Sequence, residues 1–253
     1  PLLGNALDFF NRPIAFLKET TAELGPVFEI DTIFQKYIVM AGLEANRFLA
    51  QHSEDYFTSA PLFGDFAGEM GSRNFLVAID GEDHRHMRKT LARGYSKRGG
   101  APHLDAFLSL TDQRAAGWAD GEVIFVREQL ARLVAEQLGT ALTGFSSEEH
   151  FEDIRYYLNA LMSVFVIKQW PRAMLWTPRY RRAKRRVMEM AQSVIDAHGA
   201  DRAGQAADLV DDLLAAQDRH GRPLTEGDIL AAVIGPYFAG IDTVASTMGF
   251  MLY

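Results

Sequence analysis

His84 and Arg88 are four residues apart in a charged segment, residues 80–89, that reads DGEDHRHMRK. In an α-helix this spacing places both side chains on one face, about one turn from each other. Two such donors can bind an anionic group, and arginine can do so through two hydrogen bonds at once. The segment therefore predicts an anion-binding helix face, with Asp80 as the N-cap. A solvent-exposed face without a ligand is the alternative interpretation.

Asp242 and Thr243 place an acid and an alcohol side by side near the C-terminus, in a markedly apolar stretch. A carboxylate in apolar surroundings must be paired, hydrated or neutralised. The hydroxyl of Thr243 can bond back to the carbonyl of Ala239 and so bend a helix. Local preferences that are broken together inside a core helix are typical of a functional site.

The stretch that carries this pair, residues 226–253, is predicted to form one long buried helix. Thr225 is the expected N-cap, and Asp228 stands where a capping box returns a hydrogen bond. Apolar residues then occupy every face, which indicates a position in the core. Pro236 and Gly240 are both unfavourable inside a helix, which adds to the irregular character of the stretch.

Residues 239–243, which read AGIDT, and the H-x-x-x-R segment at 84–88 resemble two motifs of the cytochrome P-450 enzymes, the haem-thiolate monooxygenases. The resemblance implies that the long helix crosses the distal face of haem b. Ala239, Gly240 and Thr243 would contact the haem, with Gly240 opening a groove for dioxygen. Asp242 and Thr243 would be the catalytic residues, which relay protons.

The same resemblance implies that His84 and Arg88 bind the haem propionates. The iron ligand of this family is a cysteine thiolate, yet the 253 residues contain no cysteine. The axial cysteine is therefore expected outside the given sequence, and no metal ligand is predicted within it. Residues 1–253 are expected to form a single truncated cytochrome P-450 domain, helices A to I, that is inactive alone.

The expected fold is mainly α with a small β-sheet near the N-terminus, an incomplete cytochrome P-450 fold. With 48% hydrophobic residues the chain can bury a large core. Two β-favouring runs, at 27–31 and 37–41, predict a hairpin. Apolar periodicity and boundary residues predict helices at residues 12–24, 43–51, 103–118, 123–144, 148–166 and 183–198.

Residues 61–78 are rich in glycine and phenylalanine and predict a long loop, a feature that usually signals function. The resemblance places this loop over the haem, with Phe75, Leu76 and Val77 as candidate substrate contacts. Leu161 and Phe165, in the helix predicted at 148–166, are further candidates for lining the pocket. Packing in the protein core is the alternative for each of these side chains.

The charge distribution bears on possible partners. A net charge of −7 gives no case for nucleic-acid binding. Residues 168–186 nevertheless combine basic and aromatic side chains without an acid, which suits a membrane surface or an RNA backbone. The resemblance makes this segment a lid over the access channel, able to contact a membrane surface. Arg85, Lys89 and Arg93 belong to a basic run that would face an acidic electron-transfer partner, or merely solvent.

The implied function of the complete protein is hydroxylation of a lipophilic small molecule. Dioxygen is the oxidant, and the electrons come from NAD(P)H through a ferredoxin or a reductase-type donor. One alternative is an enzyme of the same family that catalyses a rearrangement without external electrons, although the intact Asp242–Thr243 pair favours oxygenation. The other alternative is a haem-free, all-helical protein that binds an apolar ligand.

Two further expectations concern location and metals. The sequence contains no run of about 18 apolar residues free of charge, so no membrane-spanning helix is predicted. The chain begins at Pro1, and the expected location is cytoplasmic for a bacterial protein or membrane-associated if an anchor precedes it. Asp208, Asp211 and Asp212 are interpreted as the wet face of a helix rather than as a metal site.

Overall fold

The computed structural model describes residues 4–32, 35–199 and 208–252. The chain divides into two compact units, Pro1–Thr58 with Ile167–Gln169, and Ser59–Val166 with Trp170–Tyr253. Helices dominate, and the described residues form one two-stranded antiparallel sheet, in the first unit. The predicted fold class is confirmed.

The smaller unit contains a helical pair, a hairpin and one further helix: α1 (Ala6–Asn11), α2 (Pro13–Leu24), β1 (Val27–Asp31), β2 (Lys36–Met40) and α3 (Leu43–Tyr56). The strands pair with Phe28 opposite Val39 and Ile30 opposite Tyr37. Phe28 and Ile30 are buried and alternate with exposed neighbours, as the two-residue period of a strand requires. They pack with Phe16 in a small core, and the predicted hairpin is present.

The larger unit contains the other helices: α4 (Ala60–Glu69), α5 (Gly81–Thr90), α6 (Lys97–Gly100), α7 (Leu104–Ala116), α8 (Val126–Leu142), α9 (Phe151–Leu161), α10 (Pro178–Gly199), α11 (Leu209–Ala215) and α12 (Glu226–Leu252). Short 3₁₀ turns lie at Leu76–Ala78, Ala101–His103, Glu148–His150 and Arg172–Trp176. A π-helical turn at Met162–Val166 extends α9. Residues from α4, α8, α9, α10, α11 and α12 share one large hydrophobic core.

The prediction of a loop at residues 61–78 is wrong for its first half, which forms α4. The start of α4 is capped from outside the segment, since the Asp80 carboxylate accepts hydrogen bonds from the Ser59 and Ala60 amides at 2.8 and 2.9 Å. Asp80 thus caps α4 through its side chain and makes no such bond at α5. Burial alone would raise the pKa of Asp80, but the bonds from Ser59 and Ala60 outweigh it and lower the pKa. Phe66 is fully buried and holds α4 on the core.

Helix α12 lies across the larger unit and packs closely against α8. Its first half is buried through residues such as Ile234, Tyr237 and Ile241. A Cβ atom at Gly240 would lie 2.7 Å from Cδ1 of Leu138 on α8, well inside contact distance. The small residue at 240 therefore allows the two helices to approach.

The second half of α12 does not show the burial on all faces that its sequence predicts. Asp242, Thr243 and Val244 are exposed, and Phe250 is 83% exposed, because the described helices leave this end of α12 uncovered. By length and mean hydropathy, 1.5 in its most apolar window, α12 could cross a membrane. A core helix can meet the same two criteria, and the first half of α12 is buried.

Candidate functional site

A mainly apolar cavity of about 410 Å³ lies between α5, α12 and the segment that joins α4 to α5. It is lined by Asn74, Phe75, Leu76, Val77, Met87, Arg88, Leu91, Ala92, Tyr95, Leu224, Asp228, Ala232, Gly235, Pro236, Phe238 and Ala239. The predicted site residues that it brings together are those of the 75–77 segment, Arg88 and Ala239. The fold thus brings residues 74–95 together with residues 224–239, which are far apart in the sequence.

Arg88 lies at the wall of this cavity, on the exposed side of α5. Among the described residues it has no hydrogen-bond or ion-pair partner. A guanidinium offers five N–H donors in a planar array, so its position beside an apolar cavity favours an anion. His84 is half-buried one turn earlier on the same helix face and does not line the cavity.

An aromatic cluster forms the wall next to Ala239. The ring centroids of Phe75 and Phe66 are 6.1 Å apart in a stacked arrangement, and those of Phe66 and Phe238 are 4.8 Å apart. Phe63 approaches Phe238 edge-on at 6.4 Å. Sequence reasoning missed Phe238, although its place directly before the AGIDT segment was a usable signal.

Leu161 and Phe165 lie elsewhere. They are 0% and 7% exposed, belong to the main core, and are not among the residues that line the cavity. The guanidinium of Arg172 lies 5.4 Å above the Phe165 ring. The described structure therefore gives both side chains a packing role.

Asp228, in the first turn of α12, is 2% exposed and holds the segment before Phe75. Its Oδ1 accepts hydrogen bonds from Ser72 Oγ and the Arg73 amide at 2.8 Å and from the Asn74 amide at 2.9 Å. Its Oδ2 accepts from Asn74 Nδ2 at 3.0 Å and Thr225 Oγ1 at 2.7 Å. Burial alone would raise the pKa of Asp228, but the bonds from Asn74, Thr225 and Ser72 outweigh it and hold the pKa well below its ordinary value.

The AGIDT segment presents different faces to different neighbours. Ala239 lines the cavity, whereas the Cβ direction of Gly240 points at Leu138 of α8. The short side chain at the cavity wall is therefore that of Ala239. One turn earlier, Pro236 has no amide hydrogen, so the carbonyl of Ala232 cannot receive the usual helix bond. Pro236 and Ala232 both line the cavity, so the carbonyl oxygen of Ala232, which lacks that helix bond, is a hydrogen-bond acceptor near it.

Thr243 and Asp242 lie beyond the cavity wall. Thr243 Oγ1 donates to the Ala239 carbonyl oxygen at 2.6 Å, as its position in the sequence predicts. Asp242 Oδ1 accepts from Arg127 Nη2 of α8 at 2.6 Å, with both side chains 67% exposed. A polar cleft of about 340 Å³ surrounds this ion pair and is lined by Arg127, Glu152, Arg155, Tyr156, Asn159, Arg179 and Asp242.

The acidic group at the start of α11 has a structural explanation. Asp208 is the N-cap, and together with Asp211 it forms a capping box. His198 Nε2 lies 2.9 Å from Asp208 Oδ2, and Asp212 pairs with Arg93. The ligand atoms of His198, Asp208 and Asp211 lie within 4.8 Å of one another, a spacing consistent with the capping box and the His198–Asp208 contact.

The comparisons with known proteins give one family. The family model described as Cytochrome P450 matches residues 1–253. Lanosterol 14-alpha demethylase of Rattus norvegicus is 23% identical over 274 residues, which cover 100% of this chain and 52% of that protein. Cytochrome P450 monooxygenase pynD of Aspergillus niger is 25% identical over 154 residues, which cover 60% of this chain and 31% of that protein.

A solved structure has the same fold. Retinoic acid-bound cyanobacterial CYP120A1 matches with a TM-score of 0.80 at 23% identity, over 98% of this chain and 56% of that one. The chain spans about half the length of the full-coverage relatives. The architecture described above therefore corresponds to part of a longer fold.

Proposed function

The chain belongs to the cytochrome P450 family, and on this premise we propose that it forms the N-terminal part of a haem-dependent monooxygenase. The complete enzyme would activate dioxygen and hydroxylate a lipophilic small molecule. The observation that carries the proposal is the cavity lined by both Ala239 of α12 and Arg88, which has no partner among the described residues. The single-domain organisation of residues 1–253, helices A to I, remains part of this proposal.

The residues at the cavity fit haem b. A porphyrin is a flat apolar ring with two carboxylates at one edge, and this cavity combines apolar walls with a guanidinium that has no partner among the described residues. Arg88 would bind a propionate, with His84 adding a donor from the same helix face. Ala239 would lie against the ring, and Gly240 would act indirectly by admitting α8 close to α12.

When bound, the haem supplies the oxidising chemistry through dioxygen and delivered electrons. Thr243 would hold a proton on Oγ1 beside the Ala239 carbonyl and release it toward the cavity. Asp242 would connect that proton to bulk water, since its carboxylate is exposed in the polar cleft. Arg127 would hold the carboxylate in a fixed orientation through their ion pair. With these assignments, α12 would present Ala239 to the apolar cavity and Asp242 to the polar, solvent-exposed cleft.

These 253 residues contain no cysteine. We propose that a cysteine thiolate would bind the iron from polypeptide outside this chain, and the half-length coverage of the relatives supports this. The chain alone would accordingly be inactive. Electrons would come from NAD(P)H through a ferredoxin or a reductase-type donor that docks near the exposed Arg85 and Lys89 of α5.

The substrate would be lipophilic, since Phe75, Leu76, Val77 and Phe238 all present apolar surface to the cavity. Substrate contact by Leu161 and Phe165 stays a prediction that requires movement of residues now buried in the core.

Contact of the 168–186 segment with a membrane surface also belongs to this proposal. Its support is the exposure of Trp176, at 70%, among exposed basic residues. A protein that associates with membranes through this segment would need no spanning helix.

A carbon monoxide difference spectrum of the complete natural polypeptide, expressed with haem and reduced, tests the proposal. A thiolate-ligated haem gives a characteristic red-shifted Soret band, and the same protein should then consume NAD(P)H when given a redox partner. Absence of bound haem would refute the proposal and favour the haem-free binding protein. A normal spectrum with product formed without electrons would favour the rearrangement enzyme.

A further inference from the structure

We propose that Asp228 and Gly235 are positioning residues that fix Phe75 in the cavity wall and thereby set which substrates the enzyme accepts. This inference rests on the proposed function. It concerns two residues of α12 that lie outside the AGIDT segment. One holds the backbone that leads into Phe75, and the other makes room for its ring.

The backbone constraint comes from Asp228. Its carboxylate accepts the amide hydrogens of Arg73 and Asn74, the two residues directly before Phe75. Both carboxylate oxygens also accept side-chain bonds, so the group works entirely as an acceptor. Alanine at this position would remove both acceptor oxygens, and with them all of these bonds.

Two glycines bring the segment close enough for these bonds. A Cβ atom at Gly227 would lie 2.1 Å from the carbonyl oxygen of Gly71, so any side chain there is excluded. Gly71 itself has a φ of +83°, a conformation that L side chains rarely adopt. The start of α12 and the segment before Phe75 are therefore in backbone contact, and Asp228 ties them together one residue further on.

The ring constraint comes from Gly235. A Cβ atom there would lie 3.1 Å from Cε2 and 3.6 Å from Cζ of Phe75. The absent side chain leaves the space that the ring occupies, between α12 and Phe66. Because Phe75 and Gly235 both line the cavity, a displaced ring would change the shape of the cavity wall.

Gly235→Ala is the main test, made in the complete haem-bound polypeptide. The added methyl group should displace the Phe75 ring and change the ratio of products, or the KM for bulky against slender apolar substrates, by about threefold or more. Gly64→Ala is the matched control, because it makes the same change in a helix where nothing lies within 4 Å. Equal product ratios and KM values for the two variants and the parent would overturn the proposal.

A double-mutant cycle shows whether Phe75 carries the effect. In a Phe75→Ala background, Gly235→Ala should no longer change the product ratio, since the ring that it displaces is gone. An undiminished effect of Gly235→Ala in that background would assign the effect to another residue and overturn the proposed link.

Hydrogen exchange gives a readout that does not depend on activity. In Asp228→Ala, which removes both acceptor oxygens, the amides of Arg73 and Asn74 should exchange about tenfold faster or more. Asp208→Ala, which removes the N-cap side chain of α11, should leave those two amides unchanged even though it weakens a helix terminus. Equal protection of both amides in Asp228→Ala and the parent would refute the backbone constraint. A complete parent protein that binds no haem would instead refute the proposed function. The exchange result would still show whether Asp228 constrains the backbone.

Discussion

The Thr243 hydroxyl and the Ala239 carbonyl oxygen are 2.6 Å apart, which joins an exposed residue of α12 to one that lines the cavity. A threonine that bonds back to this carbonyl competes with the helix ladder and gives the hydroxyl a fixed direction. The bond therefore ties the Thr243 side chain to the backbone of a residue that lines the cavity. The proposed role of Thr243 in proton delivery rests on this contact.

Replacement of Thr243 by alanine should uncouple the complete enzyme. Product formed per NAD(P)H consumed should fall by about tenfold or more, with a matching rise in hydrogen peroxide, because the positioned proton donor is lost. The measurement is a parallel assay of NAD(P)H, product and peroxide. Thr247→Ala is the control, since its hydroxyl bonds to the Thr243 carbonyl one turn further on. Tight coupling in Thr243→Ala would remove Thr243 from the mechanism.

Replacement of Arg88 by alanine should weaken haem retention. Loss of a charge-assisted hydrogen bond to a propionate predicts about a tenfold to hundredfold faster haem transfer to an acceptor protein. His84→Ala should have a smaller effect, because His84 does not line the cavity. Lys89→Ala removes a cation from the next position of α5 and should leave the rate of haem transfer unchanged. Equal haem transfer from all three variants would contradict a role for Arg88.

Asp228 should stabilise the fold in a pH-dependent way. Its pKa is lowered in the folded chain, so its contribution is fully present above the unfolded pKa of about 3.9 and is lost as pH falls through the folded value. Asp228→Asn should cost about 3 kcal/mol near neutral pH. Urea unfolding of both proteins should show this difference narrowing below about pH 4. A difference that is constant down to pH 2 would contradict the lowered pKa.

Replacement by alanine should affect stability differently at Gly139 of α8 and at Gly240 of α12. A Cβ atom at Gly139 would lie 2.4 Å from the carbonyl oxygen of Phe145, whereas at Gly240 it would meet only the end of the Leu138 side chain. Backbone cannot move aside easily, so Gly139→Ala should destabilise by about 1–3 kcal/mol. Gly240→Ala should cost less, because the end of the Leu138 side chain can change rotamer and alanine favours the helix. Thermal unfolding of both variants measures the contrast, and a reversed order would be inconsistent with the packing described.

The Arg127–Asp242 ion pair should contribute little to stability. Both side chains are 67% exposed, and exposed pairs contribute about 1 kcal/mol or less. Asp242→Asn should therefore leave the free energy of unfolding nearly unchanged while it slows turnover and increases the solvent isotope effect. Chemical denaturation and steady-state rates in H₂O and D₂O provide the two readings. Normal turnover in Asp242→Asn would contradict a role for this carboxylate in proton delivery.

Local sequence signals predicted much of the fold. The hairpin is present, with Phe28 and Ile30 buried between exposed neighbours, and the cap at Thr225 with Asp228 forms as the spacing indicates. The start of α4 could not be read in this way. Its cap, Asp80, stands about twenty residues downstream, and side chains distant in sequence give no local signal.

The candidate site was predicted in part for the same physical reason. The i, i+4 spacing of a helix put His84 and Arg88 on one face, but it could not decide which of them reaches the cavity. Leu161 and Phe165 are apolar residues of a predicted helix, and pattern alone does not distinguish a pocket wall from the core. The orientation of Gly240 toward Leu138 depends on how α8 packs, which only the tertiary structure reveals.

An experimental structure of the complete polypeptide with haem bound tests the central claim most directly. The account predicts the porphyrin in the cavity between α5 and α12, with one face against Ala239 and a propionate within hydrogen-bond distance of the Arg88 guanidinium. A haem bound elsewhere, or an Arg88 paired with a protein carboxylate and remote from both propionates, would contradict it.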